Sequence, residues 1–189
     1  LNLGFKSLQI QQVEETFSLR DPVFATHPVV EVTWYGAKAY CQSIGGRLPT
    51  EAEWEKAAKG TDERVYPWGG ELDGRRVNYH NNGDPFDDGT SPVGYFDGSL
   101  RDGFQTLNGA SPYGVHDMAG NVYEWVQDWY REDYYLRSPE DSPTGPETGQ
   151  SKVFRGGAYD YCPFIIRTSH RNWAWPHVAV ERTGFRCAK

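Results

Sequence analysis

One stretch of this chain leaves its backbone little choice: Gly120-Asn121-Val122-Tyr123-Glu124-Trp125, introduced by Asp117-Met118-Ala119. Glycine and asparagine are the residues that tolerate left-handed backbone, so the pair predicts a sharp kink. β-branched and aromatic residues follow at once, and a strand is expected over 122–129. The kink bares main-chain carbonyls, and Glu124 sets a carboxylate beside them. That arrangement suits a hard cation such as calcium, which takes six to eight oxygen ligands. The plainer alternative is that Asn121 and Glu124 only satisfy backbone donors in a buried turn.

Two helices are legible upstream. Thr33 is a good N-cap, Trp34, Ala37, Tyr40, Cys41 and Ile44 recur at helical spacing, and Gly45-Gly46 is a stop. Thr50-Glu51-Ala52-Glu53 is a capping box, in which the Thr side chain and the Glu three residues on satisfy each other's backbone donors. Gly60 ends this second helix, and the pair forms a corner around Arg47-Leu48-Pro49. Further short strands are expected at 152–156, 164–168 and 183–187. Residues 1–26 carry mixed patterns and are expected to drape over the domain as an N-terminal extension or trimmed start.

Between Tyr66-Pro67-Trp68-Gly69-Gly70 and about residue 114 the chain is loop-like, with Asn, Asp, Gly and Pro throughout. A loop of that length inside a compact domain is functional or held by something other than a core. The whole chain has 21 Gly and 12 Pro, which makes turns the dominant texture, while Trp 7, Tyr 12 and Phe 9 supply large buried areas from few residues. At 189 residues a single domain over 1–189 is expected, with no internal repeat or boundary.

A net charge of −7 argues against a nucleic-acid partner, since phosphate contacts need clustered Lys and Arg. No apolar run approaches the roughly 18 residues of a membrane span. The start, Leu1-Asn2-Leu3-Gly4, lacks signal-peptide grammar and reads like the middle of a longer protein. Three cysteines, Cys41, Cys162 and Cys187, leave at least one thiol unpaired, and their spacing matches no zinc pattern. Composition leaves the redox compartment open.

Several blocks resemble one family in one order. His27-Pro28-Val29-Val30 leads to Val32-Thr33-Trp34 and Ala39-Tyr40-Cys41. Arg47 to Glu55 follows, then Tyr66-Pro67-Trp68-Gly69, Ser91-Pro92-Val93-Gly94, Pro112-Tyr113-Gly114 and Asp117 to Trp125. Arg155-Gly156-Gly157 and Gly184-Phe185-Arg186-Cys187 close the set. Together they resemble the sulfatase-modifying-factor family, to which the formylglycine-generating enzyme belongs. The fold this implies is α+β and C-type-lectin-like: few short antiparallel strands, two short helices and long loops.

The resemblance also implies structural calcium. One site would use the carbonyls of Ala119, Gly120 and Val122 with the Glu124 carboxylate. The other would use the side chains of Asn78 and Asp84 with the carbonyls of Tyr79 and Phe86. A Cys41–Cys187 disulfide is implied in the same way, with two reduced core cysteines as the alternative. An extracellular or cell-surface setting is the expectation.

The family's oxidase chemistry rests on two thiolates that grip a cuprous ion, a soft metal on soft ligands. Here Tyr161 and Ile166 stand at the two matching positions, and Cys162 alone lies nearby, one place displaced. No copper is expected, and formylglycine-generating activity is not. The non-haem iron branch draws on paired histidines, whereas His27, His80, His116, His170 and His177 are dispersed.

Function is expected instead in the segment from Ala158 to Val180. Tyr159, Asp160, Tyr161, Cys162, Phe164, His170, Trp173, Trp175, His177 and Val178 crowd a loop-like stretch containing Pro163, Asn172 and Pro176. Rigid aromatics beside short polar groups are the composition of a paratope. A related branch, the variable proteins of diversity-generating retroelements, diversifies this stretch. Asp160, Tyr161, Cys162, Phe164, Ile165, His170, His177 and Val178 are all reachable from an Asn codon by changing adenines; Trp173 and Trp175 are not, and would be fixed. The expected function is a non-catalytic domain that binds a protein, glycan or small-molecule ligand through this loop. A metal-dependent oxidase or sulfoxide-synthase-like enzyme of the same family, and a structural assembly component, remain the alternatives.

Overall fold

A computed structural model describes residues 9–86, 89–101 and 103–189; the first eight residues of the expected N-terminal extension lie outside them. The centre is a four-stranded sheet in the order β7-β6-β5-β8. β5 (Tyr123–Trp129) and β6 (Lys152–Arg155) are antiparallel, as are β6 and β7 (Asn172–Ala174). β8 (Thr183–Phe185) runs parallel to β5, so the sheet is mixed where antiparallel pairing alone was expected.

Side chains alternate across this sheet, and each face meets one helix. Trp125 and Phe154 pair across β5 and β6 and pack with Tyr123 and Leu48 against α1 (Trp34–Ser43). Val126 and Val153 point the other way, onto Trp54 and Ala58 of α2 (Glu51–Lys59). The indole nitrogens of Trp34 and Trp125 donate to the carbonyls of Val126 (2.7 Å) and Val32 (2.9 Å), so neither ring is buried with an unpaired N–H. Both helices start as expected: Thr33 accepts from the Gly36 N–H, and Thr50 and Glu53 form the reciprocal capping box. Cys41, on the buried face of α1, is disulfide-bonded to Cys187 just beyond β8.

The expected strand at 164–168 does not form. Those residues are turns: the Ile165 N–H donates to the Cys162 carbonyl (3.0 Å) and the Thr168 N–H to that of Val65 (2.9 Å). The Phe-Ile-Ile run mimics strand composition, but Ile166 is buried beneath Gly157, where an added Cβ would come within 2.6 Å of its Cγ2. The third partner in the sheet is β7 instead. Two hairpins were not anticipated, β1 (Ile10–Val13) with β2 (Thr16–Leu19), and β3 (Leu100–Arg101) with β4 (Phe104–Gln105). Among the described residues no helix is long and apolar enough to cross a membrane.

Candidate functional site

The Gly-Asn kink is the hub on which the site is built. Gly120 and Asn121 both take left-handed backbone, φ 65° and 58°. A side chain at Gly120 would place its Cβ 2.1 Å from the Asn78 carbonyl oxygen, so only glycine fits. Asn121 then joins three loops. Its N–H donates to the Asn78 carbonyl (2.9 Å), and its side chain exchanges bonds with the Ser91 N–H (3.0 Å) and carbonyl (3.2 Å). Its own carbonyl accepts from Tyr159 (3.0 Å). The long irregular stretch and the segment beginning at Ala158 are thereby fixed to one residue.

The far end of that segment is fixed beside it, because the Tyr123 N–H donates to the Arg182 carbonyl (2.9 Å). The Arg182 side chain reaches Asp160 at 2.6 Å. Between these anchors several large side chains are displayed, although Ile166 and Thr168 are buried. Phe164 is 59% exposed, Trp175 58%, Trp173 46% and Tyr161 37%, and Cys162, His177 and Val178 are exposed as well. Cys162 is a free thiol.

These side chains are not gathered into one stack; ring contacts join them in pairs. Trp173 lies on Tyr130 at 3.8 Å, Trp175 on His177 at 5.7 Å, and Phe164 meets His170 at 6.2 Å with Arg167 over its ring at 3.7 Å. Tyr161 meets Tyr123 edge-on at 5.3 Å. Tyr159 is half-buried with Arg182 over its ring at 5.9 Å. Trp173 pairs with Val153 in the sheet and so faces the α2 side, while neighbouring Asn172 reaches the Tyr123 hydroxyl on the α1 side.

Sequence reasoning missed the cations beneath this surface. Arg155 is fully buried and binds Glu51 (2.5 Å), Glu55 (2.7 Å) and the Thr168 carbonyl (2.5 Å). Arg171 forks onto Glu51 at 2.7 and 2.9 Å and stands over Tyr130 and Tyr135. Both arginines hold the segment to α2. Arg155 was visible only as part of a motif, and nothing in its neighbours announced a buried ion pair.

The two expected cation sets differ in fit. At Asn78, Tyr79, Asp84 and Phe86 all proposed donors are oxygens. The Asn78 Oδ1 is buried with no hydrogen-bond partner, and the buried Asp84 carboxylate is positioned by the Phe86 N–H (2.6 Å) and the Asn82 amide (2.8 Å). An unsatisfied buried acceptor at Asn78 and an oriented carboxylate at Asp84 are the kinds of ligand a hard cation takes. At Ala119, Gly120, Val122 and Glu124 the carboxylate is engaged. Arg186 donates to both of its oxygens at 2.6 Å, and the Trp54 indole donates to one, also at 2.6 Å. A cation there would have to displace Arg186. The described residues contain no group of three or more His, Cys, Asp or Glu side chains placed to hold a metal ion. For copper, Tyr161 and the buried Ile166 offer no soft ligand.

A cavity of about 700 Å³ is walled by Val29, Val32, Tyr40 and Phe185, with Asp117, Glu124 and Arg186 among its polar groups. Burial pushes the Asp117 carboxyl up from its ordinary range, against the opposing effect of the Gly94 N–H it accepts. No residue of 158–180 lines this cavity.

Comparison with known proteins places this architecture. The chain is 42% identical over 172 residues to "Serine/threonine-protein kinase pkn1" of Chlamydia caviae, covering 89% of this chain and 25% of that protein. It is 41% identical over 180 residues to "Formylglycine-generating enzyme" of Thermomonospora curvata, covering 86% of this chain and 55% of that one. It therefore spans between a quarter and about half the length of these relatives. Among solved structures it superposes on Treponema denticola variable protein 1 with a TM-score of 0.69 at 25% identity, over 93% of this chain and 73% of that one. The family model described as the sulfatase-modifying factor enzyme 1-like domain matches residues 7–189. With its kinked Gly-Asn hub, two capped helices and short mixed sheet, the chain belongs to the sulfatase-modifying factor enzyme 1-like domain family.

Proposed function

We propose that this domain is a recognition module that presents residues 158–180 to a protein, glycan or small-molecule ligand. One observation carries the reading: the segment is anchored at both ends on the Asn121–Tyr123 backbone, while Tyr161, Phe164, Trp173 and Trp175 stand exposed between the anchors. Large aromatics held on a rigid frame lose little conformational entropy on binding. The likeness to a variable protein supports the same use of the fold. Calcium at Asn78, Tyr79, Asp84 and Phe86 would stiffen the long loop that abuts the hub, and an extracellular or cell-surface setting would suit such display.

Relatives called formylglycine-generating enzymes favour a second reading, oxidase chemistry. Tyr161 and Ile166 at the thiolate positions weigh against it. The test is a glycan array and a random-peptide display library screened with the domain. Ligands so enriched are expected to lose at least about tenfold in affinity when Trp173 and Trp175 are both changed to Ala. Binding untouched by those changes, or copper-dependent oxidation of a cysteine-containing peptide, would overturn the proposal.

A further inference from the structure

A second cavity, of about 370 Å³, is walled by residues of α1, β5, β6 and the 144–147 loop, and by none of 158–180. Lys152 is part of its wall and is only 4% exposed. Its ammonium stands between two indoles, 4.1 Å from the ring centre of Trp34 and 3.8 Å from that of Trp129, and donates to the Gln127 carbonyl at 2.7 Å. All three of these neighbours also line the cavity, which puts the charge at its edge. Lys38 sets a second ammonium over the same Trp34 ring, at 5.1 Å. Among the described residues neither ammonium has an ion pair. Arg47, the third cation of the wall, is taken by Glu53 at 2.6 and 2.7 Å.

Lysine is almost never buried unless it is paired. The two rings favour its charged form and the carbonyl takes one N–H, but neither cancels the charge, and Lys38 adds a like charge on the same ring. A bound anion would neutralise both. The chain as a whole carries a net charge of −7, so a cationic cavity is not a by-product of general basicity. We propose that this cavity is a binding site for a small organic carboxylate. The carboxylate group would meet Lys152 and Lys38, with Gln42 and Thr144 as neutral donors, and the apolar body would lie against Leu48 and Pro146. With Arg47 and Glu53 cancelling, the wall sets two ammoniums against one carboxylate, that of Glu147, and this balance suits a monoanion rather than a dianion. Burial pushes the Lys152 ammonium down to about 8, Asp128 opposes the shift and Lys38 adds to it, as expected of a desolvated cation without a counter-ion. Such binding is independent of recognition by 158–180.

The test titrates benzoate into the native chain while its indole N–H signals are followed by nitrogen-15 NMR. The Trp34 and Trp129 signals are expected to shift saturably, and benzamide, the neutral counterpart, to bind at least about tenfold more weakly. Lys38→Gln, a change at an exposed position of α1, is expected to weaken benzoate by about threefold, and Lys152→Met by at least about tenfold. No saturable shift at those two indoles up to about 50 mM benzoate, or equal binding of benzoate and benzamide, would overturn the site. So would an unchanged benzoate affinity in a folded Lys152→Met protein. Should that variant not fold, the contrast between benzoate and benzamide and the Lys38→Gln titration decide the matter. Binding of inorganic phosphate but not of benzoate would overturn the assignment to a carboxylate.

Discussion

Asn121 shows how much one side chain carries in this fold. Its main-chain and side-chain groups reach Asn78, Ser91 and Tyr159, and its φ of 58° is one that Asn tolerates better than most residues. Asn121→Ala would orphan the buried bonds to Ser91 and strain the backbone, at a cost of about 2–4 kcal/mol. Urea denaturation measures this, and a change below about 0.5 kcal/mol would show that the hub is not stabilising. The kink was legible because Gly and Asn are the ordinary occupants of left-handed backbone. Glu31, Asp117 and Arg182 adopt the same region and were not legible. In such residues the conformation is imposed by surroundings, so the strain that marks them is invisible in the chain. Arg186 is a related case: only the packed structure shows its guanidinium on Glu124.

At the scale of elements, helices declared themselves and strands did so in part. The caps at Thr33 and Thr50 are local signals, complete within a few residues, and α1 and α2 begin where those signals stand. Strand formation depends on a neighbour. Phe164-Ile165-Ile166 has strand composition, yet β7 holds the edge position, because Ile166 is needed beneath the Gly156–Gly157 turn. The β1–β2 and β3–β4 hairpins are largely exposed and their strands run only two to four residues, too short for a period to mark them. The disulfide is the strongest tie between elements, joining α1 to the end of the chain across 146 residues. Replacing Cys41 and Cys187 together by Ala should cost about 3–5 kcal/mol. Equilibrium unfolding under non-reducing conditions would test this, and unchanged stability would mean that packing around α1 suffices alone.

For the whole molecule, the question is how a chain so rich in loops stays in one arrangement. Three small apolar clusters are joined by the Asn121 hub, the Glu51–Arg155–Arg171 network and the disulfide. If the Asn78 set also holds calcium, removing it with a chelator should lower the melting temperature by about 5 °C or more. Asn78→Ala should then abolish the response to chelator, whereas an unchanged native melting curve would remove calcium from the account. The sequence by itself determined the helix starts, the kink and the fold class, since each depends on residues adjacent in the chain or on an ordered set of motifs. It also pointed to 158–180 by composition. Only the tertiary structure decided that this segment is anchored on the Asn121–Tyr123 backbone, that its aromatics divide into pairs across both sides of the sheet, and that Lys152 lies buried between two indoles. Those features come from side chains far apart in sequence meeting in space, and desolvation and charge act on them only once they are packed together.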